Sequence, residues 1–260
     1  MLSYPDILLR NLRKSYYLPH SQSFSYKQLH QNMCNLFVET RSKEISRQTI
    51  FDKLSKIIKN LKPLPTNISN NRTSERISTI VDTLNTHSFT PRTILDIGAG
   101  AGDIISALQD HYTLPADSVF AIDQKLPTLN NVTTLTYDNN LIPLPDNSID
   151  VIIMFAVLHH IPADIRLNIV KEVSRVLSPK GYVIIREHDD NLDPDFYFFL
   201  DLLHLSWYIA KDESVDPLFL MSRNVTTDLF YQVGLQSTHY STYPEPNPQR
   251  IYHEFFNKSP

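Results

Sequence analysis

Two hydrophobic periodicities divide the chain. Up to about residue 90, apolar positions recur at spacings of three and four, as in Ile50, Leu54, Ile57, Ile58 and Leu61. That period predicts helices near 26–38, 44–61 and 73–86, and the Pro-, Asn- and Ser-rich stretch 62–72 reads as a loop. From residue 91, short apolar runs at 93–97, 119–122, 132–135, 149–155 and 182–185 alternate with helical stretches at 102–111, 163–177, 195–210 and 224–233. Strands apolar throughout and separated by helices predict a mostly parallel sheet covered on both faces. Two further strand candidates, 236–242 and 250–256, lie too close together for a crossover helix, so at least one is expected to run antiparallel. The predicted architecture is a helical N-terminal extension over residues 1–90 and a Rossmann-like α/β domain over 91–260.

Composition narrows the class. In 260 residues there is one cysteine, Cys34, which excludes an internal disulfide framework and a cysteine-rich zinc site. The first residues lack a basic stretch followed by an apolar core, and the apolar run at 151–158 is far too short to cross a bilayer, so an intracellular, soluble protein is expected. The net charge of -4 is unevenly spread: residues 1–90 carry +7 and the remainder -11. A basic extension on an acidic body suits contact with a polyanion such as RNA, although lysine-rich solvated helix faces account for it equally well.

The chemistry concentrates at Thr93-Ile-Leu-Asp-Ile-Gly-Ala-Gly-Ala-Gly-Asp103. Three of the chain's five glycines stand at alternate positions, Gly98, Gly100 and Gly102, between a buried strand and a helix. Glycine there permits unusual backbone angles and close approach of a ligand to the main chain. A dinucleotide site would space its glycines Gly-x-Gly-x-x-Gly before a phosphate. Here Asp96 precedes the turn and Asp103 follows it. Acids suit a ligand with a cationic end and free hydroxyls better than a phosphate.

Asp96-Ile-Gly-Ala-Gly-Ala-Gly102 resembles the first motif of class I S-adenosylmethionine-dependent methyltransferases, of the type 11-like group, and later motifs follow in order over roughly residues 92–187. The resemblance implies S-adenosylmethionine as cofactor and a seven-stranded sheet. It implies donor contacts from Asp96, Gly98, Ala99, Gly100 and Gly102, from Asp123 with Gln124 at the ribose, from Asp138 with Asn139 at the adenine, and from Phe155. Phe155-Ala-Val-Leu-His-His-Ile-Pro162 is similar to the family's loop beside the methyl group, and Arg175-Val-Leu-Ser-Pro-Lys-Gly-Tyr182 to its turn into the fifth strand. One departure stands out: residues 124–131 are too few for a normal crossover, so the helix between the second and third strands is expected to be one turn or absent.

Glu187, His188 and His159 are the catalytic candidates, with His160 beside them, because all follow strands whose carboxyl ends bind ligands in such folds. No metal site is expected. In 195–210, helical spacing groups Phe196, Phe199, Leu203 and Trp207 on a face expected to pack on the sheet. Tyr197, Asp201, His204 and Tyr208 on the other side offer a wall for an acceptor. The run Arg186-Glu-His-Asp189, this helix and the segment ending at His253 look like methyltransferases encoded by large viruses. The acceptor expected first is RNA, a cap or a base, drawn to the basic extension, with no membrane and no DNA partner. A small-molecule acceptor is the alternative, and an inactive donor-binding scaffold a third reading.

Overall fold

The structure, a computed structural model, describes the chain except residues 1–2, 14–15, 19–22, 43–45, 60, 64–69, 125–128, 137–140, 191–192, 212–216, 244–248 and 259–260. Its elements are α1 (Tyr4–Leu12), β1 (Tyr16–Tyr17), α2 (Phe24–Ser42), α3 (Arg47–Ile58), β2 (Lys62–Pro63), α4 (Asn70–Thr86), β3 (Ile94–Ile97), α5 (Asp103–Tyr112), β4 (Val119–Ile122), β5 (Thr133–Leu135) and β6 (Ile149–Phe155). There follow α6 (Ala163–Val176), β7 (Leu177–His188), α7 (Pro194–Lys211), α8 (Arg223–Tyr231), β8 (Leu235–Thr242) and β9 (Ile251–Lys258). Among the described residues, no helix is long and apolar enough to cross a membrane.

The chain forms two compact units, Met1–Ser69 with Leu192–Pro217, and Asn70–Asn191 with Leu218–Pro260. They are cut differently from the division at residue 90 read in the sequence. Helix α4 belongs with the sheet, where Ile80, Val81 and Leu84 pack among Ile104, Ile105 and Leu108 of α5. Helix α7 belongs with α1, α2 and α3 rather than with the sheet, and the rings of Tyr4 and Phe199 stack at 4.9 Å. The reason lies in its pattern. Phe196, Phe199, Leu200, Leu202, Leu203 and Leu205 are all buried, so the helix is apolar around most of its girth and suits an interior position rather than one face on a sheet. Asp201 and His204, expected on an acceptor wall, are buried too, while Tyr197 is exposed. The side chains of Trp207 and Tyr208 lie outside the described residues.

The larger unit holds a seven-stranded sheet ordered β5-β4-β3-β6-β7-β9-β8. Strands β3 to β7 pair in parallel, while β9 is antiparallel to both β7 and β8. One face carries Leu95, Ile152, Val183 and Phe230, and the other Ile94, Ile153, Ile184 and Phe255, each set sealed by helices. Every such fully buried aliphatic side chain contributes about 1.5–3 kcal/mol. The described part of the connection between β4 and β5, residues 123–124 and 129–132, contains no helix. From β3 the chain steps outward to β4 and β5, then returns to β6 on β3's other side. That reversal leaves a crevice at the carboxyl ends of β3 and β6, where folds of this type place ligands.

On β9, fully buried Glu254 accepts from Arg223 Nε at 3.0 Å and Nη2 at 2.7 Å, and from Thr227 Oγ1 at 3.0 Å. Removing the arginine strands a buried carboxylate, whereas removing the acid leaves a guanidinium that already reaches water. Arg223→Met is therefore expected to lower stability by about 3–5 kcal/mol, and Glu254→Gln by clearly less. Urea unfolding of both variants checks the asymmetry, and equal losses would contradict it.

Candidate cofactor and acceptor site

After β3 the backbone takes φ +75°, +56° and +78° at Gly98, Gly100 and Gly102, angles that L side chains rarely adopt. Two of the three also lack space. A Cβ on Gly98 would lie 2.3 Å from Val157 Cγ2, and one on Gly102 2.5 Å from Leu129 Cδ2, whereas one on Gly100 would meet nothing within 4 Å. The crest of the turn is thus open and its flanks are packed. The amides of Gly98 and Ala99 donate to the Ile122 carbonyl at 2.7 and 3.2 Å, and the Gly100 amide donates to Asp123 Oδ2 at 2.8 Å. The turn and the end of β4 are one hydrogen-bonded piece, with Gln124 exposed just beyond.

Asp96, on β3 before the turn, is buried. Burial first, then the neighbouring Asp123 charge, push it up to about 8 against the pull of Arg76 on α4. At neutral pH this carboxyl is mostly protonated and poised to ionise when a cation arrives. Such a turn, such an acid and the Asp123 carboxylate fit a ligand with an ammonium end and a ribose. Asp138 and Asn139 lie outside the described residues. The segment just after them is held by Arg175, which donates to the carbonyls of Leu144 and Ile142 at 2.9 and 2.8 Å and pairs with Glu172 and Asp146 at 2.7 Å each. That clamp is invisible in a motif that marks Arg175 only as the start of a turn.

On the other side of the crevice β6 ends at buried Phe155, and Ala156 sits at φ +59° without being glycine. Glu187, on the neighbouring strand β7, holds the loop that follows. Its Oε1 accepts from the amides of Val157 and Leu158 at 2.9 and 2.8 Å, and its Oε2 meets His159 Nδ1 at 2.5 Å. Burial raises this acid, but His159, His188 and the Leu158 amide outweigh burial and hold it at about 2. Arg166 of α6 grips the same loop by donating from Nε to the Ile161 carbonyl at 2.7 Å. His188 donates from Nδ1 to the Gln249 carbonyl at 2.8 Å, and burial and then His159 lower it to about 3. The rings of His159 and His188 are 5.2 Å apart, those of His159 and His160 4.3 Å. The expected catalytic residues do gather at one place, but Glu187 is not placed as a general base. Both its oxygens are committed, so its work is positioning.

Three residues that the sequence reading did not assign complete the crevice. Arg186 of β7 pairs in register with His253 of β9, and both are buried. The His253 ring lies 5.5 Å from Phe155 and 5.4 Å from Tyr243, and the Arg186 guanidinium is 5.6 Å from the Tyr243 ring.

Comparison with known proteins bears on this geometry. Residues 95–185 match the family described as "Methyltransferase domain". Over 159 residues the chain is 23% identical to the tRNA N(3)-cytidine methyltransferase METTL2 of Gallus gallus, covering 55% of this chain and 42% of that protein. Over 154 residues it is 22% identical to the malonyl-[acyl-carrier protein] O-methyltransferase of Marinomonas sp. (strain MWYL1), covering 55% of this chain and 56% of that one. The chain thus spans about half the length of these curated relatives. Its fold is similar to that of the Burkholderia thailandensis 1,6-didemethyltoxoflavin-N1-methyltransferase solved with S-adenosylhomocysteine, at 14% identity and a TM-score of 0.52, over 95% of this chain and 94% of that one. The chain is thus similar to methyltransferases over residues 95–185. S-adenosylmethionine is its cofactor.

Two buried histidines set a pH dependence. In the fold His188 and His253 are each lowered from 6.5 to about 3, burial being the largest cause for both. A depressed histidine supports the fold fully above its unfolded value and loses that support as pH falls through 6.5 towards 3. Each then costs about 1.4 kcal/mol per pH unit below 6.5. Thermal unfolding between pH 8 and 4 is expected to steepen below 6.5, and His188→Asn or His253→Gln to flatten that slope.

Proposed function

We propose that this chain transfers a methyl group from S-adenosylmethionine to an acceptor held at the carboxyl ends of β6 and β7 and the amino end of β9. The observation that carries the reading is the open glycine crest tied through Gly100 to Asp123, with the protonated Asp96 beneath it. When bound, S-adenosylmethionine supplies a methyl group already activated on a sulfonium. The chain's residues then have to hold and align the partners and keep water out. Asp123 would meet the ribose, and Asp96 would ionise beside the ammonium.

For the acceptor, the sequence puts RNA ahead of a small molecule, and the two curated relatives act by name on a tRNA cytidine and on malonyl-[acyl-carrier protein]. Two features favour the small molecule. Lys53, one of the basic side chains of the extension, is held by Glu39 at 2.5 Å rather than presented to a phosphate. The strand ends also gather buried cationic and aromatic side chains, better suited to a small group than to a strand of nucleic acid. RNA stays as the second reading, supported by the basic extension.

Titration calorimetry with S-adenosylhomocysteine tests the donor reading. Saturable binding is expected, weakened by about 1–3 kcal/mol in Asp123→Ala, and strengthening as pH rises to about 8 because Asp96 must give up its proton. Binding indifferent to both would remove these acids from the site.

A salt series separates the two acceptors. For single-stranded RNA, log affinity falls with log salt at about -0.7 per contacted phosphate. Filter binding of short RNAs to the intact chain and to a Lys56→Gln, Lys59→Gln variant is expected to show weak retention with no difference between the two. A steep slope that the variant reduces would restore the RNA reading.

A further inference from the structure

We infer that Arg186 and His253 form a binding site for the carboxylate of the acceptor, a step that rests on the methyl-transfer reading above. Arg186 is 92% buried and His253 97% buried, and both belong to the larger unit. Among the described residues, Arg186 Nε and His253 Nε2 have no hydrogen-bond partner. Such unmatched nitrogens are uncommon in folded interiors, where a buried polar group without a partner weakens the fold. Here two occur on register-paired residues of adjacent strands, whose side chains rise from the same face of the sheet. No carboxylate forms an ion pair with Arg186 among the described residues, although buried charges ordinarily have one.

The surroundings select the kind of anion. Arg76 and Arg186 both act on His253 and lower its proton affinity, after burial, so the local field is positive. Phe155 and Tyr243 wall the His253 ring. Planar rings beside the pair suit a planar anion. A guanidinium edge presents donors in a plane that matches a carboxylate's two oxygens. A neutral imidazole whose Nε2 carries the proton adds one more donor without a second full charge. A phosphate, tetrahedral and more strongly hydrated, suits such a slot less well.

The experiment uses the full chain saturated with S-adenosylhomocysteine and follows thermal unfolding and titration calorimetry. The probes are benzoate and malonate, with benzamide and inorganic phosphate as controls. Benzoate or malonate is expected to raise the melting temperature and to bind with measurable heat, while benzamide does not. Arg186→Met is expected to weaken carboxylate binding at least tenfold and to leave S-adenosylhomocysteine affinity within about threefold. It should also melt at a higher temperature than the parent when no carboxylate is present, because it removes a buried donor that nothing satisfies. A merely structural arginine would instead melt lower on substitution and leave no carboxylate response to lose. As a second readout, the His253 imidazole resonances should shift on adding benzoate in the parent and not in Arg186→Met. Failure of the carboxylates to bind while S-adenosylhomocysteine still binds overturns this inference and leaves the donor reading standing. Phosphate binding as well as or better than carboxylate overturns it in favour of a phosphate-bearing acceptor. Loss of S-adenosylhomocysteine binding itself would count against the underlying methyl-transfer reading.

Discussion

A carboxylate placed where only backbone amides and one imidazole can satisfy it governs the geometry of this site. Glu187 stands near the end of β7, buried just after the apolar run Val183-Ile184-Ile185, where an unpaired charge would be very unfavourable. It is tolerable because the amides of Val157 and Leu158 and the ring of His159 all turn towards it. The loop after β6 is fixed by the same bonds, including the left-handed residue Ala156 that begins it. Val157 is thereby pressed against Gly98, which has no room for a side chain. One acid on β7 thus sets the position of the turn that follows β3, and the two sides of the crevice are registered to each other through it.

Around that clasp the sheet accumulates groups that do not favour folding. Asp96 is held protonated, His188 and His253 are held neutral far below their ordinary range, and Arg186 is buried without an acid partner among the described residues. All four lie on the edge of the sheet formed by the carboxyl ends of β3 and β7 and the amino end of β9, and the apolar residues of the same strands lie behind them. Stability is supplied by the two sealed faces, and the strand ends carry the polar cost. Sites that bind charged ligands are where local rules of burial are expected to be broken.

The sequence was legible where chemistry depends on local backbone. Three alternating glycines after an apolar strand could be read directly, and all three take the left-handed angles their spacing suggested. The strand and helix alternation gave the sheet, and the closeness of the last two strands gave their antiparallel course. What could not be read depends on long-range pairing. Glu187 stood out as poor core material, but only the fold shows that residues thirty positions earlier consume both its oxygens. His253 meets Arg186 because β9 runs antiparallel to β7, a register no local pattern encodes. One apolar stripe along α7 is enough to predict packing on the sheet. Burial on its other sides places it instead with α1, α2 and α3.

The same geometry constrains what the crevice can do to an acceptor. A general base needs a lone pair free to take a proton and an affinity near the working pH. Glu187 is ionised, but its oxygens are engaged, and its low proton affinity makes it a poor base in any case. His188 donates its Nδ1 proton to a carbonyl, and burial suppresses protonation of its ring. An acceptor that must lose a proton as it reacts would find little help from either residue. A group already ionised at neutral pH asks for none, since its attacking oxygen carries its own electron pair and no proton has to move. For such an acceptor the protein's contribution reduces to alignment and desolvation, which a rigid, amide-clasped loop and a packed pair of strands are well suited to provide.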